Sequence, residues 1–171
     1  MAASATSHLE PSRRAPSPRR AALALALWTA VVLGLSSSTF SANTTSSILL
    51  PILRALFPGA SEQALALAHG AIRKAAHVTE YGVLGALALR AAALRKPASW
   101  RRASVLALAY AVGIASVDEL HQATTTTRTG AVSDVFVDAS GATLGIGVLA
   151  LAARRRPRTL LPLGGKRGEA E

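Results

Sequence analysis

The sequence contains no cysteine and few charged or aromatic residues. Without cysteine the chain can form no disulfide, no cysteine-ligated zinc or iron–sulfur site and no thiol nucleophile. Charged residues make up 16% of the chain and aromatic residues 4%, whereas an ordinary soluble domain has about 25% charged residues. Half of the 171 residues are hydrophobic. This composition excludes an intrinsically disordered protein and is typical of one that lies in a membrane.

Acidic residues are scarce as well, since 19 Lys and Arg stand against 9 Asp and Glu and give a formal net charge of +10. On a soluble protein such an excess would suggest a nucleic-acid partner. Here the basic residues lie between long apolar runs, with few aromatic side chains among them. We therefore interpret them as signals of membrane topology and predict a lipid bilayer, not a nucleic acid, as the partner.

Four apolar stretches approach the length of about 20 helical residues that crosses a hydrocarbon core of ~30 Å. We predict an all-α integral membrane bundle of four transmembrane helices in a domain of residues 21–153, with spans at about 21–40, 75–94, 103–120 and 135–153. Disordered basic segments are predicted at residues 1–20 and 157–171. A cleaved signal peptide is an alternative for the first stretch, because small residues follow it near Ser41.

The distribution of basic residues predicts how the bundle is oriented. Fifteen of them fall on the side of the two termini, and the other side has Arg54, Arg73, Lys74 and Arg128. Both termini are therefore expected in the cytoplasm. On the outer side, residues 48–57 are apolar but hold Pro51 and are too short to span, so they predict an interfacial or re-entrant piece. Ser61 is a predicted N-cap of a helix that continues into the second span.

Ionisable and polar residues concentrate in three short segments that this topology brings to the outer membrane face. The second span begins with Arg73, Lys74, His77, Glu80 and Tyr81, the third ends with Asp118, Glu119, His121 and Gln122, and the fourth begins with Asp134 and Asp138. At about 100° per residue, the set on the second span falls within an arc of about 120°, Asp118, His121 and Gln122 fall within about 100°, and Asp134 and Asp138 within about 60°. We expect one outward-facing polar cluster, with Arg73, Lys74 and Arg128 supplying charge to the carboxylates.

Two glycines share the polar stripe of the last span. Gly141 and Gly145 form a small-xxx-small pair that allows another helix to approach closely. Because the acids and this packing stripe coincide, the acids are predicted to point into the bundle.

Taken together, these segments resemble the VanZ-like family of small bacterial membrane proteins. The resemblance covers about residues 61–153 and rests on the combined pattern Arg73-Lys74-Ala75-Ala76-His77, Glu80-Tyr81, Leu84-Gly85, Asp118-Glu119-Leu120-His121-Gln122, Arg128, Asp134-Val135, Asp138, Gly141 and Gly145. Family members commonly carry an apolar residue and Pro-Gly before the arginine, where this chain has Thr124–Thr127. The resemblance implies a multi-pass protein of the bacterial cell membrane. The family's namesake is linked to teicoplanin resistance, and no molecular activity is established for the family.

Three functions stay open at this point. The first is a cell-envelope protein that lowers susceptibility to glycopeptide antibiotics and contacts a cell-wall precursor or the glycopeptide. The second is an enzyme that acts on a lipid-linked or peptidoglycan-related substrate at the outer leaflet, with His77 or His121 as general base, Asp118 as its carboxylate partner, and Lys74 and Arg128 as anion ligands. The third is a structural membrane module with a buried ion network.

Metal binding and proton conduction are weaker alternatives for the same cluster. His77, His121 and the carboxylates are acceptable metal ligands, but the chain has no HExxH helix and the neighbouring cations would compete for the acids. The ionisable residues lie near one face, and no chain of them continues across the membrane. We therefore predict no metal site and no cofactor.

Overall fold

The computed structural model describes residues 17–37, 42–95, 99–123 and 132–155. Within these ranges the protein is all-α, without a strand, and has five helices: α1 Pro18–Leu35, α2 Ala42–Leu56, α3 Glu62–Arg95, α4 Trp100–Ala123 and α5 Val132–Arg155. The predicted basic tail, most of the basic arm and the loop that holds Arg128 lie outside the described residues. The arm does not reach residue 20 as predicted, because the helix already begins at Pro18.

Helix starts follow from local sequence. Pro18 occupies the first turn of α1, where a missing backbone N–H costs no helical hydrogen bond. Ser61 caps α3 as predicted, since its Oγ accepts a hydrogen bond from the Ala64 N–H at 3.2 Å. Ser99 caps α4 in the same way through the Arg102 N–H, also at 3.2 Å. Serine side chains thus satisfy backbone donors that the first turns of these helices leave unpaired.

Helix α3 is the central element of the bundle. It has 34 residues, so the predicted second span is only its C-terminal part. It packs against α1, α2, α4 and α5, and its side chains Tyr81, Leu84 and Leu89 are at most 1% exposed. The core of the protein therefore forms around α3.

The helices alternate in direction. Along α1 and α4, Thr29 lies beside Tyr110 and Ser36 beside Asp118, so these two helices run parallel. The order is reversed against α3, because Val32 of α1 shares a core cluster with Tyr81, whereas the earlier Leu25 also packs with Ala88 and Leu89. This places the ends of α1 and α4 beside the starting half of α3, an end of the bundle that we call the site end. Arg95 and Arg102 lie at the opposite end, the arginine end.

Helices α3 and α5 run in the same direction and touch through their backbones. A Cβ added to Gly141 would lie 2.5 Å from the Val78 carbonyl oxygen, and one added to Gly145 would overlap the Gly82 carbonyl. Such contacts leave no space for a side chain, so only glycine fits there. The structure thus places both glycines of the predicted small-xxx-small pair at the contact between α3 and α5.

Three described helices, rather than the predicted four, are long and apolar enough to cross a bilayer: Pro18–Leu35, Trp100–Ala123 and Ser133–Arg155. The remaining predicted span is part of α3, where His77, Glu80 and Arg90 interrupt the apolar sequence. Large apolar side chains cover the outside of the three apolar helices; Leu23, Leu120, Phe136, Leu144 and Val148 are each more than 60% exposed. Such a surface is stable against lipid tails and unfavourable in water.

Helix α2 is the short apolar segment that the sequence predicted. It has 15 residues, includes Pro51 and exposes Ile48, Ile52 and Leu56 along one face. Arg54 joins it to the start of α3 through a two-pronged ion pair with Glu62, in which Nη2 lies 2.8 Å from Oε2. The hydrogen bonds from Arg54 hold the pKa of Glu62 below its ordinary value.

Candidate functional site

A histidine–aspartate pair joins α3 to α5 at the site end. Nδ1 of His77 lies 3.1 Å from Oδ1 of Asp138, and Asp138 is only 3% exposed. An ionised carboxylate can only accept hydrogen bonds, so the proton of this contact belongs to Nδ1. The other ring nitrogen, Nε2, is then the acceptor of the neutral imidazole. Asp138 lies one helical turn before Gly141, and His77 directly precedes Val78. The backbone contact of Gly141 with Val78 fixes the position of α5 along α3 and so holds Asp138 level with His77.

A second buried carboxylate, Asp118 of α4, is held by two donors. The Ser36 hydroxyl donates to its Oδ2 at 2.5 Å, and Nε2 of Gln122 donates to the same oxygen at 3.0 Å. Gln122 also donates to the Ser36 hydroxyl at 2.6 Å. These bonds reduce the cost of burying the carboxylate and attach α1 to α4 at this depth.

Two small cavities, each of about 160 Å³, lie on either side of His77. The Ser36 cavity is lined by residues of α1, α2, α3 and α4, including Ser36, Arg73, His77, Glu80, Tyr81 and Asp118. The Lys74 cavity lies between α3 and α5 and is lined by Gly70, Arg73, Lys74, His77, Asp134, Val137 and Asp138. Both are smaller than the ~300–1,000 Å³ of pockets that enclose a drug-sized ligand. They match a small polar group, such as one phosphate, better than a whole small molecule.

Tyr81 borders the Ser36 cavity and carries a fully buried hydroxyl. The side chain is 1% exposed, and no described residue bonds its hydroxyl. A buried hydroxyl without a partner costs about 1–3 kcal/mol.

Most of the predicted cluster gathers at these cavities. Eight of its residues line one or both of them: Arg73, Lys74, His77, Glu80, Tyr81, Asp118, Asp134 and Asp138. Gln122 lines neither cavity but donates a hydrogen bond to Asp118. Glu119 is half-buried and His121 is exposed, and neither lines a cavity. Arg128 lies outside the described residues.

The predicted charge pairing differs from the one observed. In the described part of the chain, neither Arg73 nor Lys74 forms an ion pair with a carboxylate, and the partner of Asp138 is His77. The reason is position along α3, since His77 lies one turn further into the bundle, level with Asp138. The two cations instead border the cavities.

Sequence reasoning missed the contribution of α1. Ser36 is 8% exposed and completes the Asp118 site, and Trp28 Nε1 donates a hydrogen bond to the Glu80 carbonyl at 3.0 Å. Ser36 ends an apolar run and was given no place in the predicted polar cluster. Polar side chains at the end of a charge-free helix were the available signal.

The described residues include no group of three His, Asp or Glu side chains placed to hold a metal ion. At the cavities, Arg73 and Lys74 supply two cations and His77 supplies an imidazole.

The long apolar helices, their lipid-compatible surface and the buried polar cluster at one end of the bundle define an α-helical membrane protein. The VanZ/LLP1 family model matches residues 21–153, which is most of the chain, and the protein belongs to that family. The match begins at α1, well before residue 61, where the motif resemblance begins. No curated protein and no solved structure matches the chain.

Proposed function

We propose that the chain crosses the membrane four times, through α3 in addition to the three apolar helices α1, α4 and α5. Because α1 and α4 run parallel, the chain that leaves α1 at the site end must return to the arginine end before α4 begins. Helix α2 has 15 residues and is too short to make that return, whereas the 34 residues of α3 extend about 50 Å. Its low hydropathy is compatible with crossing, since the other helices shield its C-terminal half from lipid.

The charge distribution supports an orientation with both termini in the cytoplasm. Within the described ranges, every acidic residue lies in the half of the bundle at the site end, and the arginine end carries Arg95, Arg101, Arg102, Arg154 and Arg155. Basic residues are enriched on the cytoplasmic side of membrane proteins. The cavities would then face the exterior of the cell membrane.

In this orientation, the site would bind the anionic group of a lipid-linked or peptidoglycan-related cell-wall precursor. The observation that carries this function is the placement of Arg73 and Lys74 at the cavities without a described carboxylate partner. Guanidinium and ammonium groups hydrogen-bond strongly to phosphate and carboxylate. We propose that binding of a precursor at the outer leaflet is how the protein would lower susceptibility to glycopeptides such as teicoplanin.

Teicoplanin susceptibility of cells that express the protein tests this function. We expect wild-type protein to lower susceptibility and Arg73→Gln to abolish the effect at equal membrane abundance. Arg54→Gln is the matched control, because Arg54 is an exposed cation that lines neither cavity. The function is rejected if cells with and without the protein are equally sensitive, or if Arg73→Gln retains the full effect.

A second candidate, an enzyme at the same site, is favoured by the His77–Asp138 contact. A carboxylate on Nδ1 fixes the imidazole tautomer and makes Nε2 a general base. Asp138→Asn and His77→Asn separate the two functions. In an enzyme, either change should remove nearly all of the decrease in teicoplanin susceptibility. In a binding protein with intact Arg73 and Lys74, most of that decrease should persist.

A further inference from the structure

A cavity larger than the two at His77 lies away from the site, at the arginine end. It has a volume of about 630 Å³ and lies between α1, α3 and α4. Seven of its twelve lining residues are alanine, so the space between the helices stays open because the side chains are too short to fill it. We call this cavity the alanine groove. Its volume is within the range of pockets that bind small organic ligands.

The groove opens sideways, toward the region of lipid tails. Helix α1 packs mainly against α3 rather than α4, which leaves a gap between α1 and α4. Two lining residues of α4 border this gap, Leu106 at 55% and Tyr110 at 38% exposure. The Tyr110 hydroxyl bonds Thr29 at 2.8 Å across the gap, so the groove ends there in a closed contact. An occupant would therefore enter from the bilayer and not from water.

Charge distinguishes the other end of the groove. Arg95, in the last turn of α3, and Arg102, in the first turn of α4, both line it. No described acidic residue lies at this end of the bundle to neutralise them. From Arg102 to Tyr110 the helix rises about 12 Å, which is most of the ~15 Å depth of one leaflet's hydrocarbon. The groove thus joins an apolar channel of acyl-chain length to two cations at headgroup depth.

We propose that the alanine groove binds one acyl chain of an anionic phospholipid and that Arg95 and Arg102 hold its phosphate. Basic pockets between transmembrane helices are suited to anionic headgroups, and guanidinium groups pair with phosphate through two hydrogen bonds. The short alanine side chains provide apolar contact without blocking the chain. The site is separate from the cavities at His77 and requires only that the bundle lie in a bilayer.

Native mass spectrometry of the full chain in detergent tests the proposal, with dioleoyl phosphatidylglycerol as the anionic probe and dioleoyl phosphatidylcholine as the neutral one. We expect the wild-type protein to retain phosphatidylglycerol at least tenfold more strongly than phosphatidylcholine. Replacing both groove arginines, Arg95→Gln with Arg102→Gln, should weaken its retention about 10- to 30-fold, since each cation near the headgroup contributes about a factor of five. Arg101→Gln is the matched control, because Arg101 is exposed on the same turn and does not line the groove.

Filling the groove provides a second variant that keeps both arginines. Ala26→Phe should reduce retention of phosphatidylglycerol, and Ala30→Phe, one turn further along α1 and outside the groove, should not. Far-UV circular dichroism checks that each variant is folded. Equal retention of the two lipids by the wild type would overturn the proposal, as would an effect of Arg101→Gln as large as that of the double variant. Displacement of the lipid by glycerol phosphate alone would show that the acyl chain is not bound and would also overturn it.

Discussion

Replacement of Gly145 by alanine tests whether the contact between α3 and α5 determines the stability of the bundle. The added Cβ would overlap the Gly82 carbonyl oxygen and lie 2.8 Å from the Gly82 Cα. These are backbone atoms of a helix, which cannot rotate away as the end of a side chain can. The two helices must therefore separate by roughly 1 Å, and a gap of that size forfeits up to about half of each dispersion contact along the interface.

The expected cost follows from overpacking and helix propensity together. Insertion of a methyl group into a close-packed interface costs about 1–3 kcal/mol, and sometimes more. Alanine recovers about 0.5–1 kcal/mol because it loses less backbone entropy than glycine in a helix. Since backbone meets backbone here, we expect a net loss of about 1–3 kcal/mol in the free energy of unfolding. The assay is reversible unfolding by sodium dodecyl sulfate in mixed micelles, followed by far-UV circular dichroism.

Gly147 provides a control on the same helix. A Cβ at this position meets no atom within 4 Å, so Gly147→Ala should raise the free energy of unfolding by about 0.5–1 kcal/mol through propensity alone. The two substitutions are chemically identical and should have opposite signs. If Gly145→Ala is as stable as Gly147→Ala, the helices do not touch at Gly82 and the reasoning is refuted.

Two further substitutions test the polar contacts. Ser36→Ala should lower the free energy of unfolding by about 1–3 kcal/mol in the same assay, because buried Asp118 loses a hydroxyl donor; Ser116→Ala, exposed on α4, should change it by less than about 0.5 kcal/mol. A loss for Ser36→Ala no larger than for Ser116→Ala would contradict the buried contact. Glu62→Gln should leave the unfolding midpoint unchanged near neutral pH, because its ion pair with Arg54 is exposed and screened. A clear fall in that midpoint would show that the pair contributes more than its exposure allows.

The structure agrees with those sequence-based predictions that rest on a pattern along a single helix. Apolar runs predicted the cores of α1, α4 and α5, and an interrupted run with Pro51 predicted the short α2. The arcs of ionisable residues on three helices predicted that His77, Asp118 and Asp138 would lie at one end of the bundle. Each of these features depends only on helix periodicity and length, which neighbouring residues specify.

Other features depend on which residues of the neighbouring helices pack against each position. The interruptions by Glu80 and Arg90 leave α3 below the hydropathy of a lipid-facing span, although it is the most enclosed helix. The choice of His77 rather than a cation as the partner of Asp138 depends on a difference of one helical turn. Ser36 ends a charge-free helix, but its burial against Asp118 depends on α4, since a serine at a helix end usually faces solvent or caps a turn.

The sequence by itself determined the class of protein, the helices and most of the polar residues that meet, because the free energy of moving apolar residues out of water depends on composition and spacing along the chain. Only the tertiary structure decided which of these residues touch. It placed α3 at the centre, separated the two cavities with His77 and left the alanine groove open above Arg95 and Arg102. Those outcomes depend on the separation and rotation of helices, and the backbone contacts of Gly141 and Gly145 with α3 set both through close packing.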